Sequence, residues 1–202
     1  MTLNKSTKAA LFFVMPCLMF FCMNAGAQEY WQPTKAVQTG MSPGVKVRDI
    51  RFSGNYSGTN AYAIVFAPGD EIMSGLTEFA EKYKVKSAHF TAIGDVRAAK
   101  LGWYDPSKKM FKVNTINEQS EVTSLVGDIA IYNGKPVVHA HINLATSDGI
   151  VHGGHLLEAF VTPTLEVMMT VEYEPLYKAF SAEFGGALID PAIKRKPKLP
   201  QQ

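Results

Sequence analysis

The chain has 202 residues, 47% of them hydrophobic and 19% charged, with 20 basic and 18 acidic side chains, 5 histidines and 2 cysteines. That length and mixture suit one globular domain with short extensions, and exclude intrinsic disorder and collagen-like repeats. Both cysteines, Cys17 and Cys22, fall within the first 27 residues, so the remainder has no disulfide, no thiolate nucleophile and no Cys-ligated metal.

Residues 1–27 read as a signal peptide. Lys5 and Lys8 form a positive start, Ala9 to Met23 is an apolar run, and Ala25-Gly26-Ala27 supplies small residues for cleavage. A membrane span needs roughly 20 apolar residues, and Pro16 interrupts this shorter run, so an anchor that stays attached is the lesser alternative. Neither cysteine is preceded by the small residue a lipobox wants. The expectation is an exported protein, periplasmic or secreted, with no membrane span in the mature chain. Cleavage after Ala27 leaves 18 basic and 18 acidic residues. Between Gln28 and Asp190, 14 basic against 18 acidic residues give a body charge of −4. A duplex-DNA binder usually shows the opposite sign on its folded domain, so specific DNA binding is not expected.

Residues 28–44 form a polar leader. Val45 to Phe52 alternates apolar and polar, the period of a half-buried strand. Ser53 to Asn60 reads as a loop and Ala61 to Ala67 as a buried strand. Pro68-Gly69-Asp70 turns the chain, with Asp70 as the expected N-cap. Ile72, Leu76, Phe79, Ala80 and Tyr83 then fall on one face of a helix. Strands follow at 88–93, 98–104, 110–116, 122–132, 136–144 and 161–173. Asp105-Pro106-Ser107 makes one turn between them, Ser147-Asp148-Gly149 another, and Asn133-Gly134 is a strong two-residue hairpin signal. Leu176, Phe180 and Phe184 predict a short C-terminal helix within 174–190, ended by Gly185-Gly186. The tail, 191–202, is Pro- and Lys-rich and reads as disordered and basic. The expected fold class is α+β: a curved, antiparallel-dominated sheet with one main packing helix.

The chemistry concentrates in the histidines. His139 and His141 at i and i+2 place both rings on one face of a strand. A hairpin turning at Ser147–Gly149 brings His152-Gly153-Gly154-His155 back beside them. Three imidazoles, His139, His141 and His155, are then expected to converge as metal ligands, with the glycines permitting close approach; the alternative is histidines satisfied by hydrogen bonds in a polar pocket. His152 is out of phase with His155, and His89 reads as structural. Glu121, Glu158 and Glu166 are the carboxylates nearest in sequence, each a candidate to orient an imidazole or act as a general base and each as readily a solvated side chain. Nitrogen ligation without thiolate favours Zn²⁺, with nickel, copper or iron open by ligand type. Three neutral ligands leave the ion's charge uncompensated, which favours a small anionic ligand in the open position and would suit hydrolytic or lyase chemistry.

The same residues resemble a known family. Pro68-Gly-Asp-Glu-Ile72, Thr91-Ala-Ile-Gly94, Leu101-Gly-Trp-Tyr-Asp105, Glu121-Val-Thr-Ser-Leu-Val-Gly127, Gly134-Lys-Pro-Val-Val-His-Ala-His141, Asp148-Gly149, Gly153-Gly-His-Leu156 and Glu166-Val167 are similar, in that order, to the PPC (plants and prokaryotes conserved) domain. The likeness runs over about residues 45–173. It implies an α+β domain that assembles as a homotrimer, with a metal site in stand-alone prokaryotic members matching His139, His141 and His155. The family often carries a DNA-binding label. In plant members the DNA contacts belong to a separate Arg-Gly-Arg-Pro hook, which this chain lacks. No enzymatic activity follows from the resemblance.

Overall fold

The computed structural model describes residues 30–33, 35, 37–41, 48–52 and 59–193, with residues 48–52 and 59 described by backbone alone. The expected signal peptide, residues 28, 29, 34, 36 and 42–44 of the leader, and the tail from residue 194 lie outside the described residues.

The elements, in order, are β1 (Trp31–Pro33), β2 (Arg48–Phe52), β3 (Thr59–Phe66), α1 (Ile72–Lys82), β4 (Ser87–Asp105), β5 (Met110–Ile116), β6 (Ser120–Tyr132), β7 (Lys135–Ala145), β8 (Val151–Glu172), β9 (Lys178–Ser181) and β10 (Gly186–Ile189). The first eight strands form one antiparallel sheet in the order β1-β5-β4-β6-β7-β8-β3-β2, and β4 also pairs with β8. That extra pairing closes β4, β6, β7 and β8 into a ring, so the sheet curls on itself rather than lying open. Among the described residues the architecture is mostly β with a single helix, the sheet-dominated end of the expected α+β class.

Helix α1 is amphipathic as its spacing requires. Ile72, Leu76, Phe79 and Ala80 are buried, and they meet Ile64, Phe66, Phe90, Leu125, Leu165 and Val167 in one core between helix and sheet. Each such fully buried large side chain contributes about 1.5–3 kcal/mol relative to exposure. The N-cap is Glu71, not Asp70. The Glu71 carboxylate accepts from Met73 N at 3.1 Å and Ser74 N at 2.6 Å, and also from Ala159 N of β8 at 3.1 Å. Asp70 instead accepts from Ala67 N at 2.8 Å and closes the turn after β3. Glutamate reaches the helix start and β8 together, which ties the helix to the sheet it covers.

Four further expectations are corrected. The segments 88–93 and 98–104 are one strand, β4. Gly94 (φ 148°) does not end it, because a Cβ there would sit 2.3 Å from the Thr164 carbonyl oxygen. The glycine marks a bulge where β4 and β8 approach closely. β8 likewise runs unbroken from Val151 to Glu172, joining the hairpin arm expected at His152–His155 to the strand expected from Val161. Part of the leader is a strand: β1 pairs with β5, Trp31 opposite Lys112, and Lys112 in turn faces Trp103 of β4. The expected C-terminal helix is a hairpin of β9 and β10, with Gly185 (φ 64°) in its turn. The reason is arithmetic. Offsets of four and eight are even, so Leu176, Phe180 and Phe184 fit a strand face as well as a helix face. The expected tail is described up to Ile193. Among the described residues no helix is long and apolar enough to cross a membrane.

Candidate metal centre

Strand β7 alternates strictly. Val138, Ala140, Ile142 and Leu144 are buried in the core, which turns His139 and His141 to the opposite face of the sheet. Two turns then fix what lies beside them. Asn133 (φ 50°) and Gly134 (φ 79°) make the expected two-residue hairpin, so Tyr132 pairs with Lys135 and, four steps along, Asp128 with His139. The second turn is held by Thr146 N to Ile150 O at 2.9 Å and by the Asp148 carboxylate, which accepts from Thr146 Oγ1 at 2.6 Å and Ile150 N at 3.0 Å. It places His155 of β8 directly opposite His141.

The three rings converge. Centroids lie 5.3 Å apart for His139 and His141, 5.0 Å for His139 and His155, and 5.4 Å for His141 and His155. One nitrogen from each lies within 4.8 Å of the others. The glycines before His155 allow this: a Cβ on Gly153 would meet Asn143 Oδ1 at 2.3 Å, and one on Gly154 would meet the Gly102 carbonyl oxygen at 3.0 Å. Gly102 has a similar duty. A Cβ there would strike the Phe111 ring at 2.8 Å, and that ring stacks on His155 with centroids 4.6 Å apart and planes 22° apart.

Behind His139 stands a carboxylate absent from the sequence-based candidates. Asp128 Oδ2 lies 3.4 Å from His139 Nδ1, and Asp128 Oδ1 lies 3.2 Å from the ammonium of Lys178 on β9. Lys178 is only 7% exposed. Burial raises the Asp128 pKa, but the contact with His139 and the charge of Lys178 outweigh it and hold the carboxyl below its ordinary value. The imidazoles move the other way. Burial first, and repulsion from His139 second, lower His141. His155 is pushed down to about 3, by burial and then by the charges of His139, His141 and Lys178. Two of the three rings are thus held neutral, the form that ligates a metal. Three convergent imidazoles, no thiolate, and a carboxylate behind one ring fit a borderline divalent cation such as zinc.

The candidates from sequence divide cleanly. His139, His141 and His155 come together. His152 faces Leu144 and stays out of the cluster. His89 lies across from Asp128 in the register, but its ring turns to Glu172 at 3.4 Å. Glu121 pairs along β6 with Ala145, at the far end of the strand. Glu158 binds Lys100 at 2.5 Å, and Glu166 is exposed opposite Val65. None of the three carboxylates is the partner of the cluster's imidazoles. Asp128 was accessible to sequence reasoning, since the Asn133-Gly134 turn alone sets it against His139. Lys178 was not, because the segment carrying it reads equally as a helix.

Comparison with known proteins adds the following. Residues 53–172 match the model of the Plants and Prokaryotes Conserved (PCC) domain, the domain resembled by the motifs above. A plant- and prokaryote-conserved (PPC) protein from Pyrococcus horikoshii is 27% identical, with a TM-score of 0.61, over 76% of this chain and 97% of that one. A metal-containing protein from Archaeoglobus fulgidus is 30% identical, with a TM-score of 0.60, over 71% of this chain and 96% of that one. A protein from Ralstonia eutropha, provisionally named DNA-binding, is 28% identical, with a TM-score of 0.61, over 69% of this chain and 94% of that one. No curated protein matches the sequence.

Proposed function

The chain belongs to the Plants and Prokaryotes Conserved domain family, and on that footing we propose that it is an exported metal-binding member whose site is His139, His141 and His155. The observation that carries this is the convergence of three imidazoles from β7 and β8, with the Asp128 carboxylate behind His139. A relative of 30% identity described as metal-containing supports it. Zn²⁺ is the metal the donor set favours, since no cysteine competes after residue 27. His139 would bind through Nε2, with Nδ1 directed at Asp128, while the Phe111 ring holds His155 in plane. The ion would supply Lewis-acid polarisation of whatever ligand fills the open position. Three neutral donors favour a small anion there. The mature protein is proposed to be a homotrimer outside the cytoplasm.

A DNA-binding reading rests on the names of similar proteins alone, that of the Ralstonia relative among them. The body charge of −4 between Gln28 and Asp190 opposes it.

Elemental analysis of the purified mature protein is the test: about one transition metal per subunit is expected, and none above background after dialysis against trace zinc would end the metal reading. Intact mass beginning at Gln28 supports export, and retained Lys5 and Lys8 would argue against it. Light scattering should give three times the subunit mass, whereas a concentration-independent monomer would rule out the trimer. A gel shift that persists at moderate salt without residues 191–202 would restore the DNA reading.

A further inference from the structure

We infer that Lys178, carried by the β9–β10 hairpin, is a positioning residue of the three-histidine cluster: it holds Asp128 so that the carboxylate faces Nδ1 of His139 and leaves Nε2 for the cluster's centre. The residue lies beyond 53–172, the part of the chain matched to the family. The consequence for metal affinity rests on the metal reading above; the positioning itself does not.

A lysine ammonium with 3% of its side chain exposed is costly to keep in the fold unless its charge is paired and used. Its ion-pair partner is Asp128, at 3.2 Å through Oδ1. The other oxygen of that carboxylate is the one beside His139, at 3.4 Å. One half-buried carboxylate therefore bridges a lysine on one side and a candidate ligand on the other.

The lysine is not needed to attach the hairpin. Ile131 N donates to Leu176 O at 2.8 Å, and Leu176 N donates to Lys86 O at 3.2 Å. At the hairpin's other end Tyr104 donates its hydroxyl to the Phe184 carbonyl, and Lys109 Nζ donates to Ala182 O at 2.5 Å. An apolar side chain at 178 would fill the space and leave these bonds in place. What it would not do is balance Asp128. Without Lys178 nothing would hold Oδ1, and the orientation of the carboxylate toward His139 would no longer be set.

The test uses the mature protein with Lys178→Met, Asp128→Asn and the double variant. Nitrogen-15 NMR of the metal-free protein reads the tautomer of His139, which a purely structural lysine would not move. The expected result is Nδ1–H in the wild type, and a mixture or the other tautomer in Lys178→Met and Asp128→Asn alike. Cobalt(II) titration provides the second readout. Each single variant should bind about tenfold to a hundredfold more weakly, with a changed visible spectrum. The double variant should be no weaker than Asp128→Asn alone, because the lysine acts through the carboxylate. Lys178→Met with wild-type tautomer, affinity and spectrum overturns the inference. So does a double variant about tenfold weaker than Asp128→Asn. Should Lys178→Met fail to fold, the double variant leaves no buried unpaired charge and carries the comparison with Asp128→Asn. If wild-type protein binds no cobalt, the metal reading fails, and the tautomer of His139 still decides the role of Lys178.

Discussion

On β7, Val138, Ala140, Ile142 and Leu144 face the core beneath α1, while His139 and His141, one residue out of step, face the other side of the sheet. The inner set shares the interior with Leu125, Phe90 and Val167. The outer set shares a surface with Asp128 and His155. One strand thus packs the core on one side and presents two of the proposed metal ligands on the other, and the pleat keeps the two sets one residue apart. The lesson is that substitutions on the two faces should separate almost completely by phenotype.

The sharpest check is to remove imidazoles of the outer surface, one from β7 and one from β8. His141→Ala and His155→Ala should each abolish retention of about one metal per subunit while changing the melting temperature of the metal-free protein little. A large stability loss without metal would show that the faces are not independent. Next comes the inner set. Leu144→Ala should cost about 2–5 kcal/mol by denaturant titration, yet the folded fraction should still bind metal at full stoichiometry. Loss of metal from folded Leu144→Ala would break the comparison.

Gly127 is where the two faces touch. A Cβ there would sit 2.3 Å from Phe90 Cζ on the core side and 2.5 Å from the His139 carbonyl oxygen on β7. Gly127→Ala should therefore destabilise by about 1–3 kcal/mol and weaken metal binding together, the single substitution expected to do both. An effect on only one of the two measurements would place the coupling elsewhere.

A pH dependence follows from His155. Its folded pKa of about 3 lies below the roughly 6.5 of an unfolded histidine. The unfolded chain therefore takes up a proton first as pH falls. The metal-free protein should keep the full contribution above about pH 6.5 and lose it toward about pH 3, at most about 1.4 kcal/mol per pH unit. Urea titrations across that range should show the slope, and His155→Gln should flatten it. The smallest effect belongs to His89, whose ring meets Glu172 at the surface. His89→Ala should leave metal content unchanged and stability within about 0.5 kcal/mol.

Much of this division was legible before the structure. Helix α1 announces itself through five residues at helical spacing, and the histidine pair through a strand's period of two. The Asn133-Gly134 turn sets the register of β6 against β7, so Asp128 opposite His139 follows from counting outward from the turn. Nearness in sequence points to Glu121, Glu158 and Glu166 instead, and it is a poor guide across a hairpin. The sequence ends a strand before Gly94, yet that glycine lies within β4, since a glycine that admits a neighbouring backbone looks the same in sequence as one that ends a strand. The C-terminal hairpin was illegible for a different reason. Its apolar spacing satisfies both periods, and Lys178 gains its meaning only from Asp128, fifty residues earlier in the chain.

The row formed by β1, β5 and β4 bears on how the molecule reports its own state. The chain's two tryptophans, Trp31 and Trp103, flank Lys112 from opposite sides in that row, and the Lys108 ammonium stands 4.0 Å from the Trp31 ring centroid. All indole emission therefore arises at one end of the sheet, next to the hairpin that supplies Phe111, and none from the helix-covered side. Fluorescence will register release of the N-terminal strand and disturbances around His155, while helix melting is read by circular dichroism. Coincident transitions by the two signals would mean that β1 unfolds with the core; an earlier fluorescence change would mark it as a separately detachable arm.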